Sequence, residues 1–293
     1  MTTHQMERGE QTPTPSPKNR RSPSSYSSNS RLESVPSGVL VATSLVLFCL
    51  LWQLAVSAHW VSEYVVPSPS DTADATVHLF RDVFTDSYTL NNLWVTVKEI
   101  LAGLALAAGF GALFGVLISE TTLGRKVLQP LMVALYAAPK VALAPAFVAW
   151  FGFGLTPKIV MAATIAFFPV MVDTAAGLAG VDEDQDKLFL INRATRWQRF
   201  VKLKLPTALP FLFAGLKSAS VLAVIGAIVA EFMGGSSGLG VMVQTASVSF
   251  ALDRVFALIV LLSVLAFLVY AAVALAERRI VHWRASGFVP VDS

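Results

Sequence analysis

The sequence predicts an all-α membrane protein with six transmembrane helices, on the evidence of its composition, its long apolar windows and its distribution of basic residues. Of 293 residues, 55% are hydrophobic and 14% are charged, and the mean hydropathy is +0.63. Soluble domains usually carry about 25% charged residues, so the composition argues against a water-soluble enzyme. The net charge of +3 is typical of a membrane protein with basic cytoplasmic loops and does not indicate a nucleic-acid partner.

A transmembrane helix needs about 20 mainly apolar residues. Six windows meet this requirement, at roughly 38–60, 92–119, 128–151, 157–179, 207–232 and 254–276. They define a transmembrane domain over residues 38–280. Residues 1–37, rich in Ser, Pro and Thr, are expected to form a disordered cytoplasmic tail, and residues 281–293 a cytoplasmic C-terminal tail. The first window is long for a signal peptide, so we favour an uncleaved anchor over that alternative.

Basic residues predict the orientation of these helices. With the N-terminus in the cytoplasm, the inside segments hold sixteen Lys and Arg residues, and the outside segments and helix starts hold four. Cytoplasmic loops are enriched in Lys and Arg. The sequence therefore predicts a multi-pass protein of the cell membrane with both termini in the cytoplasm.

The longest predicted cytoplasmic connection, residues 180–206, has the pattern of two short helices. An acidic cluster that suits a helix N-terminus precedes the apolar turn Leu188–Ile191. We expect a break at Asn192–Arg193, because Asn tolerates the left-handed conformation. Thr195 is the expected cap of a second helix over 196–204, and Pro206 is expected to end the segment.

Large apolar side chains on these two helices support two interpretations. Trp197 and Phe200 would lie near one face of the second helix, and Arg196, Arg199 and Lys202 near the other. Apolar anchors with a charged rim are typical of a helix that docks into a groove of a partner protein. The same residues also suit a helix pair lying in anionic lipid headgroups. Physical reasoning alone leaves both open.

The loop resembles the cytoplasmic loop of the permeases of binding-protein-dependent ABC importers. The family motif has the form E-A-A-x-x-x-G, followed later by I-x-L-P, and its end corresponds to Leu203-Lys204-Leu205-Pro206. Lys187-Leu188-Phe189 stands at the E-A-A positions, and Arg193 stands where the family usually has Gly. Other segments that resemble the family are Val66–Pro69, Thr96–Gly103, Ala138–Pro145, Trp150–Gly154, Ala230–Phe232 and Gly238–Gly240.

This resemblance covers about residues 38–280 and implies the type I ABC importer permease architecture. It also implies three partners: an ATP-binding ABC subunit, an extracytoplasmic solute-binding protein and a second, identical permease in the lipid bilayer. The branch it resembles most imports nitrate, sulfonates, taurine and vitamin precursors such as riboflavin or hydroxymethylpyrimidine. The expected ATPase-coupling residues are the apolar anchors and the basic rim of the loop, namely Leu188, Phe189, Trp197, Phe200, Arg193, Arg196, Arg199 and Lys202.

Charged residues inside the apolar windows are the candidates for the solute pathway. A charge in mid-membrane costs roughly 2.5–3.5 kcal/mol on insertion scales, and such groups normally face a cavity or each other. Lys140, Asp173 and Glu231 are the pathway candidates, and structural pairing or snorkelling is the alternative. Lys217 suits that alternative. The glycines of residues 234–240 fit either a flexible outer gate or a tight turn.

The sequence offers no catalytic chemistry of its own. It contains no G-x-x-x-x-G-K-[ST] phosphate-binding motif, its four histidines show no metal spacing, and its one cysteine cannot form an intramolecular disulfide. We therefore expect no catalytic residue, metal site or cofactor, and a separate chain as the ATPase. A stand-alone secondary carrier or membrane enzyme remains the alternative, and it would use pairs of titratable residues inside the membrane.

Overall fold

A computed structural model describes residues 37–58, 60 and 66–283. Residues 1–36 of the tail predicted over 1–37, and residues 284–293 of the tail predicted over 281–293, lie outside this range. The chain divides at Leu50 into two units, the first of which includes the start of helix α1 and the second all later helices. The α-helices are α1 Ser37–Ser57, α2 Pro69–Thr85, α3 Ser87–Glu120, α4 Gln129–Ala137, α5 Ala144–Phe151, α6 Leu155–Ala179, α7 Glu183–Ile191, α8 Arg196–Arg199, α9 Leu205–Gly234, α10 Leu239–Val248 and α11 Leu252–Ile280.

The predicted all-helical fold is confirmed, and five of the six windows form helices long and apolar enough to cross a membrane. The third window, 128–151, is broken. Its two parts, Gly124–Ala137 and Lys140–Phe151, meet at 86° and count together as a sixth span. The break follows from Pro139, because the residue before a proline is driven out of the helical region, and Ala138 accordingly has ψ 143°.

Two π-helical turns, Gly124–Leu128 and Phe200–Lys204, lead into helices that carry a proline near their start, Pro130 and Pro206. A proline lacks the backbone N–H and clashes with the carbonyl of the preceding α-helical turn. The wider π turn lets the chain continue. As a result, one helical segment runs from Arg196 to Gly234, and the prediction that Pro206 ends the loop segment is wrong.

The core of the second unit is built around α6, which packs along both α3 and α9. The contact with α3 is very close. A methyl group placed on Gly103, Gly111 or Gly115 would lie 2.6–2.7 Å from the Cβ atoms of Ala162, Val170 and Thr174, respectively. Small residues at four-residue spacing allow this approach in a membrane, where helix association depends on van der Waals packing. The glycine face of α3 therefore sets the distance between two spans.

Replacing Gly111 by Leu is expected to separate α3 from α6 and to lower the melting temperature of the detergent-purified protein. Overpacking of a well-packed contact typically costs about 1–3 kcal/mol, and here the helix backbones themselves would have to move. The matched control is Gly109→Leu, because nothing lies within 4 Å of a methyl group at Gly109. Equal melting temperatures for the two variants would contradict this account of the α3–α6 contact.

Candidate functional site

The loop over residues 180–206 begins with a capped helix, as predicted. The carboxylate of Asp182 accepts hydrogen bonds from the backbone N–H groups of Asp184 and Gln185, both at 2.9 Å. Glu183, Asp184 and Asp186 lie in the first turn of α7, where negative charge is favoured by the helix dipole. The acidic cluster therefore fixes where α7 starts.

The chain reverses after α7 through a left-handed residue, but that residue is Arg193 rather than Asn192. Arg193 has φ 51°, whereas Asn192 has φ −79° and caps the helix. The N–H of Ala194 bonds to Phe189 O and that of Arg193 to Leu190 O, which is the Schellman pattern. Its left-handed position normally holds Gly, which explains why the family motif has Gly at the position of Arg193.

The second part of the loop starts at Thr195, as predicted, with a complete capping box. Gln198 N–H donates to Thr195 Oγ1 at 3.2 Å, and Thr195 N–H donates to Gln198 Oε1 at 2.9 Å. This satisfies two N–H groups that α8 would otherwise leave without partners. Because α8 continues through the π turn into α9, this cap marks the start of one helical segment that runs to Gly234.

Two ion pairs join α7 to α8 and the end of the loop to α3, in addition to the exposed pairs of Lys187 within α7. Arg199 of α8 forms a bidentate ion pair with Asp186 of α7, in which Nε and Nη2 each donate to one carboxylate oxygen. Lys204 bonds both carboxylate oxygens of Glu120, the last residue of α3, at 2.8 and 2.9 Å. The predicted assignment of Arg199 to an outward-facing rim is not supported, because its side chain is only 20% exposed and binds within the loop.

The loop presents a set of exposed apolar side chains. Leu188 is 57% exposed and Trp197 is 71% exposed, and the ring of Trp197 stacks on Phe200 with centroids 6.0 Å apart. Phe189 and Phe200 are half-buried, whereas Arg193, Arg196 and Lys202 are exposed. The sequence analysis did not assign roles to Leu190 and Ile191, which are 52% and 79% exposed. Both lie at the end of α7, just before the reversal.

A cavity of about 530 Å³ lies beside the loop. The described ends of α3, α4 and α6 contribute apolar walls, including Met132 and Met171. Charged side chains of the loop and its neighbours also line it, namely Glu120, Arg125, Glu183, Asp186 and Lys204. Both ion pairs of the loop therefore contribute residues to this cavity.

A second group of polar side chains is buried where α3, α6 and α9 meet residues 235–240. Lys158 Nζ lies 2.8 Å from Glu99 Oε1 and donates to Ser237 O at 2.7 Å. Glu231 accepts hydrogen bonds from Thr96 Oγ1 at 2.6 Å and from the backbone N–H of Gly240. Glu99 and Glu231 are fully buried and Lys158 is 3% exposed, so this is an interior network.

The same network also binds backbone N–H groups of residues 238–239, which follow α9. Asn92 Oδ1 accepts from Gly238 N–H at 2.6 Å, and Thr96 Oγ1 accepts from Leu239 N–H at 2.8 Å. A methyl group on Gly238, which has φ 127°, would lie 1.9 Å from Glu231 Oε1. Only Gly fits there. Of the two interpretations of residues 234–240, the structure supports the tight turn, wrapped around a carboxylate.

Sequence reasoning missed most of this network. It gave no role to Lys158, Asn92, Thr96 or Glu99. A usable signal was present, since Asn92, Thr96 and Glu99 lie at positions i, i+4 and i+7 of an apolar helix and so share one face. That face continues into the glycines that contact α6. Polar residues aligned with a packing face, rather than with lipid, indicate a buried network.

The three predicted pathway residues lie in different surroundings, and the structure does not bring them together. Glu231 is buried in the network above. Lys140 lies at the break of the third span, donates to Tyr136 O at 2.7 Å and sits over the rings of Tyr136 and Phe168 at 4.5 and 4.7 Å. Asp173 is half-buried beside Gly215 of α9. Their role in a solute pathway stays a prediction.

Lys217 is paired with Glu277 of α11 at 2.7 Å, which agrees with the structural alternative for that residue. Within the described ranges, no group of three or more His, Cys, Asp or Glu residues could hold a metal ion.

The comparisons with known proteins agree with this geometry. Residues 104–282 match the family described as binding-protein-dependent transport system inner membrane component. The formylaminopyrimidine transport permease of Halalkalibacterium halodurans is 34% identical over 82% of this chain and 93% of its own. A putative aliphatic sulfonates transport permease of Bacillus subtilis is 34% identical over 80% and 84%. The solved methionine ABC transporter has a chain that superposes with TM-score 0.57 at 20% identity, covering 65% of this chain and 94% of that one.

These features define an integral-membrane transport subunit with the fold of ABC importer permeases. The chain belongs to the family of binding-protein-dependent transport system inner-membrane components. This membership confirms the resemblance found in the sequence and places the protein in the inner membrane. It also favours a permease over the alternative of a stand-alone carrier or membrane enzyme.

The buried network predicts unequal effects for its charged members, because Lys158 is the cation among them, paired with Glu99, while Glu231 is bonded by Thr96 and Gly240. Lys158→Met leaves both carboxyl groups buried without a cation, and breaking a buried pair in this way costs about 3–5 kcal/mol. Glu99→Gln removes one of two like charges and leaves Lys158 its bond to Ser237 O, so a smaller loss is expected. The measurement is the thermal stability of the purified variants in detergent.

The control for this comparison is Lys98→Met, an exposed lysine one residue from Glu99 on α3. It is expected to change stability by no more than about 0.5 kcal/mol, as exposed substitutions usually do. If Lys158→Met proved as stable as Lys98→Met, the buried pair would not hold this end of the bundle.

Proposed function

We propose that residues 180–206 form the contact through which an ABC ATPase drives this permease. The observation that supports the proposal most directly is the set of exposed apolar side chains on α7 and α8. An ion pair joins α7 to α8, and α8 is continuous with α9. An isolated helix pair lying in headgroups would not need a fixed angle between its members. A partner with a groove does need it, because apolar anchors must enter together.

In this proposal the loop is cytoplasmic, in agreement with the distribution of Lys and Arg. The partner chain hydrolyses ATP, and its closure displaces α7 and α8. The displacement passes through the π turn into α9 and tilts the membrane helices, which alternates access between the two sides. Leu188, Phe189, Trp197 and Phe200 are the proposed anchors, extended by Leu190 and Ile191 because both are exposed beside them.

The basic rim of the proposed contact is smaller than the sequence suggests. Arg193, Arg196 and Lys202 are exposed and free to meet acidic groups of a partner, whereas Arg199 acts within the loop. Arg193 adopts φ 51°, a backbone conformation that is uncommon for a residue other than Gly. Any side chain at this position therefore has a structural cost. We infer that its guanidinium contributes to the contact, and that Gly there would relax the turn but remove one cation from the rim.

We further propose that two identical copies of the chain enclose the solute pathway and that an extracytoplasmic binding protein delivers the solute. The family's description supports the second part. The relatives are named for formylaminopyrimidine, riboflavin and aliphatic sulfonates, so a small nitrogen heterocycle or a small oxyanion is the proposed solute class. Lys140, a partly exposed cation at the broken span, and Asp173 are the proposed pathway residues, whereas the burial of Glu231 favours a structural role.

Replacing Trp197 by Ala together with Arg196→Glu is expected to abolish ATP-driven uptake while the protein still inserts in the membrane. The double change removes the most exposed anchor of α8 and reverses one rim charge. The measurement is solute accumulation in vesicles that contain the permease, the ATPase and the binding protein, at equal permease abundance.

The matched control is Trp283→Ala with Arg279→Glu, which alters the same residue types at exposed positions outside the loop. Normal uptake by the Trp197 variant would exclude the loop as the ATPase contact. Uphill accumulation by the permease alone, with no ATPase present, would instead favour the stand-alone carrier.

A further inference from the structure

Helix α7 has few close contacts with the membrane helices. None of its residues is buried, and the cavity of about 530 Å³ lies between it and the ends of α3, α4 and α6. Close-packed side chains transmit displacement because interiors are dense, but an open cavity does not. The cavity therefore leaves little apolar packing between α7 and the end of α3.

The contacts that do cross this region are ionic. Asp186 of α7 pairs with Arg199 of α8, which makes the two loop helices one unit. Lys204 then joins the end of the loop to Glu120 at the end of α3. Asp186, Lys204 and Glu120 all line the cavity. Together, the two pairs connect α7 to α3 without passing through the core of the bundle.

The position of Glu120 supports a role for its pair beyond the stability of α3. It is the last residue of α3, and a negative charge at a helix C-terminus is unfavourable because of the helix dipole. Lys204 offsets this by binding both carboxylate oxygens. Lys204 and Glu120 are 22% and 27% exposed, so the pair is partly shielded from solvent and screened less than a surface pair. The pair joins the end of α3 to the turn that leads into α9.

We propose that the Glu120–Lys204 ion pair is a strut that carries the movement of the coupling loop to α3, while the covalent chain carries it to α9. The inference rests on the proposed function of the loop and adds two positioning residues to it. Without the strut, movement of the loop would reach the end of α3 only indirectly, through the packing of α9 and α6 against α3. With it, α3 and α9 tilt together around α6.

The strut is tested in the complete transporter, with permease, ATPase and binding protein reconstituted in lipid vesicles. Taurine, methanesulfonate, nitrate, riboflavin and formylaminopyrimidine are supplied singly as probes, and the probe that the wild type accumulates is used. Each variant is measured for uptake per ATP hydrolysed, for co-purification of the ATPase and for melting temperature.

Glu120→Lys and Lys204→Glu are each expected to lower uptake per ATP by about fivefold or more, the range of a typical coupling between sites. ATPase co-purification and melting temperature should stay near the wild-type values. Lys204→Arg keeps the charge and should retain coupling, and the double reversal Glu120→Lys with Lys204→Glu should restore most of the lost uptake. The control is Arg125→Glu, a charge reversal at the rim of the same cavity that breaks neither pair and should leave coupling intact.

Three results would overturn the strut. Normal uptake per ATP in both single reversals would show that the pair transmits nothing. Loss of ATPase co-purification in these variants would assign the pair to assembly, and a fall in melting temperature parallel to the loss of uptake would assign it to stability. Failure of the loop contact itself is distinguishable, because it would appear as normal uptake in the Trp197 variant, whatever happens at Glu120 and Lys204.

Discussion

The structure depends on the close contact between α3 and α6. One face of α3 carries Asn92, Thr96 and Glu99 near its start and glycines further along, and α6 meets both parts. In a membrane, apolar surface gains little by leaving lipid, so helices associate through close packing and internal hydrogen bonds. This face supplies both, and α9 completes the arrangement by packing along α6 and contacting α3 as well.

This arrangement connects the two ends of the molecule. At one end, the buried Glu99–Lys158 pair and Glu231 hold the turn over residues 235–240. At the other, the loop over residues 180–206 is continuous with α9 and tied to α3 by an ion pair. Three tightly packed helices lie between these ends, and dense interiors resist deformation. The interior network and the loop thus belong to one mechanical element.

The sequence was sufficient for the fold class, the positions of five straight spans and both helices of the loop, because long apolar windows and capping residues are local signals. Sequence reasoning gave wrong or incomplete predictions where the local structure depends on a single residue or on a partner distant in the chain. The left-handed position fell on Arg193 rather than Asn192, since the hydrogen bonds of the reversal fix it. Pro206 did not end a helix, since a π turn precedes it. The partners of Glu231 are more than a hundred residues away in the chain, apart from Gly240, and no local pattern pairs them.

The π turn at Phe200–Lys204 makes the number of residues between α8 and α9 structurally important. An α-helix advances about 100° per residue, as follows from 3.6 residues per turn. A five-residue π turn therefore sets the rotation of Trp197 around the axis of α9 independently of the composition of either helix. Loss or gain of a single residue between them would keep the helix continuous yet aim the aromatic face elsewhere. The number of residues between α8 and α9 therefore sets the direction of the aromatic face, without any substitution on that face.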